Sequence, residues 1–149
     1  MNICIASDHA GFGLKQKIIN FLQNRHGTWQ ITDMGPEDNT PVDYPVYAHK
    51  VAGAVSRREF RRGILICGTG LGMSMMANRF SGVRAAVCTT EKMAELSRQH
   101  NRANVICLAA RQVKFEVNAA ILDKWLETGF EEKERHQRRL ALLDLLMTR

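Results

Sequence analysis

Short apolar runs alternate with longer amphipathic stretches along the whole chain. Each run is mostly apolar or β-branched, and each is followed by Gly, Asp, Thr or an Ala-Arg pair. Such runs are typical of buried strands in a parallel sheet. The pattern therefore predicts five strands, at Asn2–Ala6, Trp29–Asp33, Gly63–Cys67, Arg84–Cys88 and Asn104–Leu108.

The stretches between these runs carry apolar residues three or four positions apart, the spacing of one helix face. Thr90 is the expected cap of the fourth helix. This regular alternation predicts a single α/β domain over residues 1–149, a Rossmann-like, doubly wound, five-stranded parallel sheet in a three-layer αβα sandwich. The predicted helices are marked by Leu14, Ile18, Phe21 and Leu22, by Tyr47, Val51 and Val55, by Met73–Asn78, by Met93, Leu96 and Ser97, by Val117, Ile121, Leu122 and Trp125, and by about Glu132 to Met147.

The composition is that of an ordinary globular protein. Apolar residues make up 45% and charged residues 24% of 149, which excludes a disordered chain, a coiled coil and a collagen-like fibre. There is no signal-peptide pattern and no apolar stretch of membrane-spanning length, so we expect a cytoplasmic protein that does not contact membranes. The four cysteines lack metal-site or paired spacing, which suits buried thiols in a reducing compartment. A net charge of +6 favours an anionic partner.

In a doubly wound sheet the ligand lies beyond the carboxyl ends of the strands. The polar and reactive residues of this chain follow the predicted strands, and they are therefore expected at that edge. The segments concerned are Ser7–Gly11, Asp33–Gly35, Cys67–Gly70, Cys88–Thr90 and Ala109–Arg111.

The glycine-rich segment Gly68-Thr69-Gly70-Leu71-Gly72 follows a strand and opens a helix. Glycines there let backbone N–H groups approach an anionic ligand. A dinucleotide fingerprint fails because Met73 stands where a further glycine is required, and a phosphate-loop lysine is absent. Taken alone, the segment is better explained as a tight turn between strand and helix.

Cys67 ends the strand immediately before this segment. A helix N-terminus stabilises a thiolate, which can act as a base or a nucleophile. The alternative is a packed, inert cysteine, the interpretation we give to Cys4, Cys88 and Cys107.

Two pairs of polar residues allow both a catalytic and a structural interpretation. Asp8-His9 at the end of the first strand can perform acid–base chemistry or bind a hydroxyl-rich ligand. Asp8 can equally cap the helix that begins near Gly11, which would leave His9 on the surface. His100-Asn101 ends the fourth helix, and the spacing alone does not assign it a role.

The last predicted helix has a basic face and an apolar face. Arg135 and Arg139 are four residues apart and share one face, so their guanidinium groups can bind one phosphate or simply be solvated. Nucleic acid is not an expected partner, because aromatic residues make up only 7% and no binding module is recognised. Further along, six of the eight residues from Leu140 to Met147 are Leu or Met, which predicts that the helix (about 132–147) packs in a subunit interface.

Together, several of these motifs resemble the type B ribose-5-phosphate isomerases, the family that also includes galactose-6-phosphate isomerase subunits and allose-6-phosphate isomerases. The resemblance covers nearly the whole chain, with the motifs in the right order. They are Ile5–Phe12, Val42–Pro45, Gly63–Gly72, Gly82–Ala86, Ser97–Asn101 and Arg135–Arg139.

The resemblance implies an aldose–ketose isomerase that uses no metal and no cofactor and acts on a phosphorylated sugar. It implies an active site at a homodimer interface, with two dimers able to form a tetramer. Among the implied catalytic residues are Cys67 as the base that moves a proton between carbons, Thr69 for proton traffic between oxygens, and His100 with Asp8 for opening the sugar ring. The implied substrate-binding residues are Gly68, Gly70, Gly72 and Ser74 around the enediolate, Tyr44 and Asn101 at the sugar, and His9, Arg111, Arg135 and Arg139 at the phosphate. The family pattern implies that His100, Asn101, Arg111, Arg135 and Arg139 come from the partner subunit.

The departures from the family pattern concern the surroundings of these residues. Met73, Met75 and Met76 replace smaller or branched residues, Arg102 replaces an acidic one, and Ala110 replaces a glycine. They leave the choice between a five-carbon and a six-carbon sugar phosphate open. A non-catalytic sugar-phosphate or nucleotide sensor and a thiol redox protein centred on Cys67 remain alternatives of other classes.

Overall fold

Five strands alternate with helices in the computed structural model, which describes residues 1–25 and 29–147. The predicted alternation is confirmed, and a sixth helix closes the chain. None of the helices in these ranges is both long and apolar enough to cross a membrane. The elements are β1 (Asn2–Ser7), α1 (Phe12–Arg25), β2 (Gln30–Asp33), α2 (Tyr44–Ser56), β3 (Arg62–Cys67), α3 (Leu71–Ala77), β4 (Ala85–Val87), α4 (Glu91–Gln99), β5 (Val105–Ala109), α5 (Phe115–Glu127) and α6 (Glu134–Leu146).

The strands form one parallel sheet in the order β2-β1-β3-β5-β4. Alternate residues of the central strands point to opposite faces, as the two-residue period of a strand requires. Ile64 and Ile66 pack with α1, α4 and α5 on one face, whereas Leu65 and Cys67 pack with α2 and α3 on the other. The predicted three-layer αβα sandwich is confirmed.

The expectation that every strand is buried is wrong for the two outer strands. Residues of β2 are exposed or intermediate, and those of β4 are all intermediate. An edge strand has a neighbour on one side only, so its side chains are less covered than those of β1, β3 and β5. Both strands are also shorter than predicted, beginning at Gln30 and Ala85.

The chain leaves β1 toward one edge of the sheet and β3 toward the other, so the crevice for a ligand opens between the carboxyl ends of β1 and β3. Register places Ser7 beside Ile66, and the Asp8 N–H donates to the Ile66 carbonyl at 3.1 Å. Asp8 and Cys67, which follow these two residues, are therefore neighbours at one end of the sheet.

A buried lysine fastens the loop after β2 to α1. Lys15 is fully buried, and its Nζ donates to both Asp33 carboxylate oxygens at 2.7 and 2.8 Å and to the Pro36 carbonyl at 2.6 Å. The same loop accepts the Ser7 N–H at the Gly35 carbonyl, 3.0 Å away. The ion pair therefore supports the segment that leads into Asp8.

Replacing Asp33 with Asn is expected to destabilise the fold by about 2 kcal/mol, because the Lys15 ammonium then loses its compensating charge. Lys15→Met is the matched variant and should lower the free energy of unfolding by less, since it removes the buried positive charge together with the ion pair. Urea denaturation of both variants measures the difference. If Asp33→Asn unfolds at the same urea concentration as the unmodified chain, the ion pair does not stabilise this loop.

Candidate active site

Cys67 differs from the other three cysteines in the role of its sulfur. It is 5% exposed, and its Sγ accepts a hydrogen bond from the Gly70 N–H at 3.1 Å. Burial raises the pKa of Cys4 to about 12 and that of Cys88 to about 11, and it raises the pKa of Cys107 well above the usual value. These three thiols therefore stay protonated at neutral pH, which confirms that they are packed cysteines.

The segment after Cys67 is held rigidly around the sulfur. Gly70 has a left-handed backbone (φ +78°), which turns its N–H toward Sγ. The Cys67 and Gly68 carbonyls accept the Ala110 and Arg111 N–H groups at 2.9 and 3.0 Å, so the strand end cannot drift. The segment is thus a tight turn, which was one of the two interpretations. Its backbone is also held in a fixed position around the Cys67 thiol.

Donors are available on the helix that follows. The Leu71 N–H donates to Thr69 Oγ1 at 3.3 Å, and Ser74 Oγ donates to the Leu71 carbonyl at 2.8 Å. The N–H groups of the first turn of a helix have no acceptor within the helix. Those of Gly72 and Met73, at the start of α3, are suited to bind a negatively charged oxygen.

The capping role of Asp8, one of the two that the sequence left open, is observed in the structure. Its Oδ1 accepts the Gly11 N–H at 2.9 Å, so it does stabilise the turn into α1. Gly11 lies so close to the end of β3 that an added Cβ would stand 2.6 Å from the Ile66 carbonyl oxygen. Capping therefore holds the Asp8 carboxylate at the strand end next to Cys67.

Tyr44 and Arg111 lie against the same loop, and His9 contacts the segment just before Tyr44. The Tyr44 ring lies against Gly72, where an added Cβ would come within 2.8 Å of its Cζ. His9 Nδ1 is 3.3 Å from the backbone nitrogen and the carbonyl oxygen of Val42. The Arg111 side chain lies beside Gly68 of its own chain, with Cδ 3.3 Å from an added Cβ. The Arg111 N–H also donates to the Gly68 carbonyl, so within one chain Arg111 lies at the Cys67 loop, whereas the resemblance implies an Arg111 from the partner subunit.

His100 and Asn101 lie at the opposite edge of the sheet. Helix α4 starts after the carboxyl end of β4 and ends just before β5 begins, so it returns the chain to the amino edge. At that edge, Gly63 donates its N–H to the Asn104 carbonyl. Cys67 lies four positions after Gly63 in β3, which is about 13 Å at the rise of a strand. One chain therefore does not bring His100 to the Cys67 sulfur.

The basic helix accompanies His100. The His136 ring stacks on the His100 ring, with centroids 4.4 Å apart and planes 13° apart. This contact places Arg135 and Arg139, both exposed, at the amino edge as well. The predicted site residues thus form two groups. We call the first the thiol cluster; it consists of Cys67, Gly68, Thr69, Gly70, Gly72, Ser74, Asp8, His9, Tyr44 and Arg111. We call the second the imidazole cluster; it consists of His100, Asn101, Arg135 and Arg139.

Glu131 lies beside the imidazole cluster, a position that the sequence analysis did not predict. Its Oε2 lies 3.8 Å from His100 Nε2 and 3.3 Å from His136 Nε2. It precedes α6 in an irregular segment, and no motif marks it, so the sequence carries no signal for this contact.

The departures from the family pattern leave the loop intact. Met73 is fully buried in the core that contains Cys67, and Met75 is 67% exposed. Arg102, at the amino edge, places its guanidinium carbon 5.0 Å from the centre of the Phe130 ring.

Comparison with known proteins assigns the chain to a family. The family described as Ribose/Galactose Isomerase matches residues 3–143. Ribose-5-phosphate isomerase B of Escherichia coli K12 is 43% identical over 147 residues, 99% of this chain and 97% of the relative. The structure of Clostridium thermocellum ribose-5-phosphate isomerase B superimposes with a TM-score of 0.94 at 44% identity, covering 98% of this chain and 97% of that one.

A further solved relative contains a ligand. Ribose-5-phosphate isomerase B of Mycoplasma genitalium, with bound ribulose 5-phosphate, has a TM-score of 0.91 and 43% identity, covering 97% of this chain and 95% of that one. These matches extend over the whole α/β domain and include both groups of candidate residues. The chain therefore belongs to the ribose/galactose isomerase family, in agreement with the resemblance of its motifs to the type B ribose-5-phosphate isomerases.

Proposed function

We propose that this protein interconverts ribose 5-phosphate and ribulose 5-phosphate, with Cys67 as the base. The observation that carries the proposal is the Cys67 sulfur, placed at the carboxyl edge of the sheet with the Gly70 N–H directed at it. Ribulose 5-phosphate bound to the relative from Mycoplasma genitalium supports the choice of substrate.

The reaction moves one proton between two carbons. The Cys67 thiolate removes the proton from C2 of the open-chain aldose, the C2–C1 double bond forms, and the carbonyl oxygen becomes negatively charged. The thiol then returns the proton to C1, and a proton passes between the two oxygens with the help of Thr69. The first-turn N–H groups of α3 are suited to stabilise the enediolate oxygen, where negative charge develops.

The imidazole cluster supplies the ring-opening step, which the thiol cluster does not provide. Opening the furanose ring needs a donor and an acceptor of protons, roles suited to His100 with Asp8. Because His100 and Cys67 lie at opposite edges within one chain, His100 must reach the reacting sugar from a second copy of the chain. A cleft of about 910 Å³ beside β2 is lined by residues such as Gly35 and Tyr47 and does not include Cys67.

A homodimer provides this second copy. In α6, Leu142, Leu143, Leu145 and Leu146 are 46–75% exposed in the single chain, the pattern expected of a helix that packs against another subunit. Two-fold symmetry would create two equivalent sites, each with the thiol cluster of one chain and the imidazole cluster of the other. Association of two such dimers into a tetramer remains part of the proposal.

The phosphate binds between groups from both chains. Arg111 lies at the Cys67 loop, His9 follows Asp8 at the end of β1, and Arg135 and Arg139 would come from α6 of the partner. Guanidinium groups suit this role because each offers paired N–H donors to phosphate oxygens. Binding the unreactive end of the sugar orients the carbons over Cys67.

Arg135→Ala is expected to raise KM for ribose 5-phosphate about tenfold or more, because one charge-assisted hydrogen bond to phosphate is lost. Arg138→Ala is the matched control, since it removes the same charge from the same exposed helix at a position outside the proposed site. Steady-state kinetics of both variants make the test. Equal KM values for the two would show that the basic face is only solvated.

The substrate itself is tested with a panel of ribose, allose and galactose phosphates, with product formation and ligand binding both measured. We expect turnover of ribose 5-phosphate, and preferential turnover of a six-carbon phosphate would reassign the substrate. Tight binding without product from any of them would make the protein a sensor. A specific disulfide after peroxide treatment, without isomerase activity, would favour the thiol redox alternative.

A further inference from the structure

Two imidazoles and one carboxylate converge at the amino edge of the sheet. His100 Nε2 lies 3.8 Å and His136 Nε2 lies 3.3 Å from Glu131 Oε2, and all three atoms fall within 4.8 Å of one another. The His136 side chain is 3% exposed, whereas those of His100 and Glu131 are 36% exposed. Residues 1–25 and 29–147 contain no other such group of three metal-binding side chains.

We propose that His100, Glu131 and His136 form a binding site for a divalent transition metal such as Zn²⁺, and that occupation of this site inhibits the enzyme. The ion is an inhibitor here and has no part in the reaction. The binding half of the inference stands alone, and the inhibition half rests on the proposed function, in which His100 opens the sugar ring.

The spacing of the three ligand atoms is partly that of a zinc site. Tetrahedral bonds of 2.0–2.2 Å place neighbouring ligand atoms about 3.3–3.6 Å apart. The 3.3 Å between His136 Nε2 and Glu131 Oε2 meets this spacing, whereas His100 Nε2, 3.8 Å from Glu131 Oε2, has to move closer. The two rings are stacked with planes 13° apart, so His100 also has to turn before both lone pairs point at one ion. His100 is the more exposed of the two stacked rings, so it is the ring with room to tilt toward a shared ion.

Two neighbouring cations set the strength of this site. Lys133 Nζ is bonded to Glu131 Oε1 at 2.7 Å, which leaves Oε2 facing the histidines. Arg135 Nε lies 3.4 Å from His136 Nε2, where it competes for the lone pair and repels an incoming ion. We therefore expect affinity in the micromolar range and a gain in affinity when Arg135 is removed.

Occupation of the site blocks the proposed ring-opening step. A metal ion on His100 Nε2 occupies the lone pair that would otherwise exchange a proton with the sugar. Inhibition should accordingly be reversible with a chelator, and it should need no reaction of Cys67.

Direct metal binding tests the site without reference to activity. Metal-free protein is titrated with Co²⁺ and followed by visible absorption, and Zn²⁺ affinity is measured against a chromogenic chelator. We expect one ion per chain, binding weakened about tenfold or more in Glu131→Gln and in His136→Ala, and tighter binding in Arg135→Ala. Cys67→Ser and His49→Ala are the controls and should bind as the unmodified chain does.

Glu131→Gln keeps the test valid if removal of the buried His136 ring disturbs folding. Unchanged affinity in Glu131→Gln, or loss of binding in Cys67→Ser, would overturn the site. Zn²⁺ inhibition of isomerase activity is then compared in Glu131→Gln, His136→Ala and His49→Ala, because Cys67→Ser lacks the proposed base. Metal binding without any isomerase activity would contradict the proposed function and leave the metal site standing. Isomerase activity without metal binding would overturn the metal site and leave the proposed function standing.

Discussion

Cys67→Ser is expected to lower kcat for ribose 5-phosphate by a factor of about 10²–10⁴, the usual contribution of a positioned general base. A serine hydroxyl is a far weaker acid than a thiol, so it offers almost no conjugate base at neutral pH. The change is nearly isosteric, and the Gly70 N–H can still donate to the new side-chain oxygen. The expected effect is therefore on catalysis, with folding retained.

The reaction has a readout that isolates this step. In deuterated water, the unmodified enzyme should exchange the substrate hydrogen next to the carbonyl, because the proton on the base equilibrates with solvent. The Cys67→Ser variant should lose this exchange together with turnover, while KM stays similar because the phosphate contacts remain. Cys88→Ser is the matched control, since the buried Cys88 thiol donates a hydrogen bond to the Ala86 carbonyl and lies outside the site. Near-normal exchange in Cys67→Ser would remove Cys67 as the base.

Much of the fold follows from local pattern. The two-residue alternation of β3, with Ile64 and Ile66 on one face and Leu65 and Cys67 on the other, is visible in the sequence and is what the two cores require. The cap at Thr90 was predicted from residue type, and its side chain accepts the Met93 N–H at 3.2 Å. Such features depend on neighbours close in the chain.

The strand order does not follow from local pattern. No local pattern places β5 between β3 and β4, or makes β2 an edge strand with exposed residues. These features depend on which helices cover which face, which is decided by packing between distant segments. The lower burial of β2 and β4 was missed for this reason.

The candidate site divides in the same way. The residues after β1 and β3 were predicted to lie together, because parallel strands end at a common edge, and Asp8 and Cys67 do so. The contact of Glu131 with His100 and His136 joins segments far apart in sequence and could not be predicted. The same topology explains why Arg111, which follows β5, lies at the Cys67 loop of its own chain, whereas His100, which precedes β5, does not.

Mixing an inactive Cys67→Ser chain with an inactive His100→Asn chain is expected to restore about a quarter of the unmodified activity, because half of the dimers are then hybrids and one of the two sites in each hybrid is intact. In a hybrid, one site combines both substitutions. The other combines the native Cys67 of one chain with the native His100 of its partner. No substitution within a single chain can produce this outcome.

The test is made by refolding or exchanging the two chains at equal concentration and measuring isomerase activity after hybrid formation is verified by native mass spectrometry. Cys67→Ser mixed with the double variant Cys67→Ser/His100→Asn is the control, since every site in that mixture lacks the thiol. Activity that stays at the level of the control, with hybrids present, would mean that His100 does not act on the sugar held by the partner. In that case the separation of about 13 Å along β3 would have to be closed by a rearrangement within one chain. The sheet connecting Gly63 to Cys67 leaves no hinge for such a movement, because every residue from Gly63 to Cys67 is paired with β5. Recovery of activity in the hybrid is therefore the result that the topology requires.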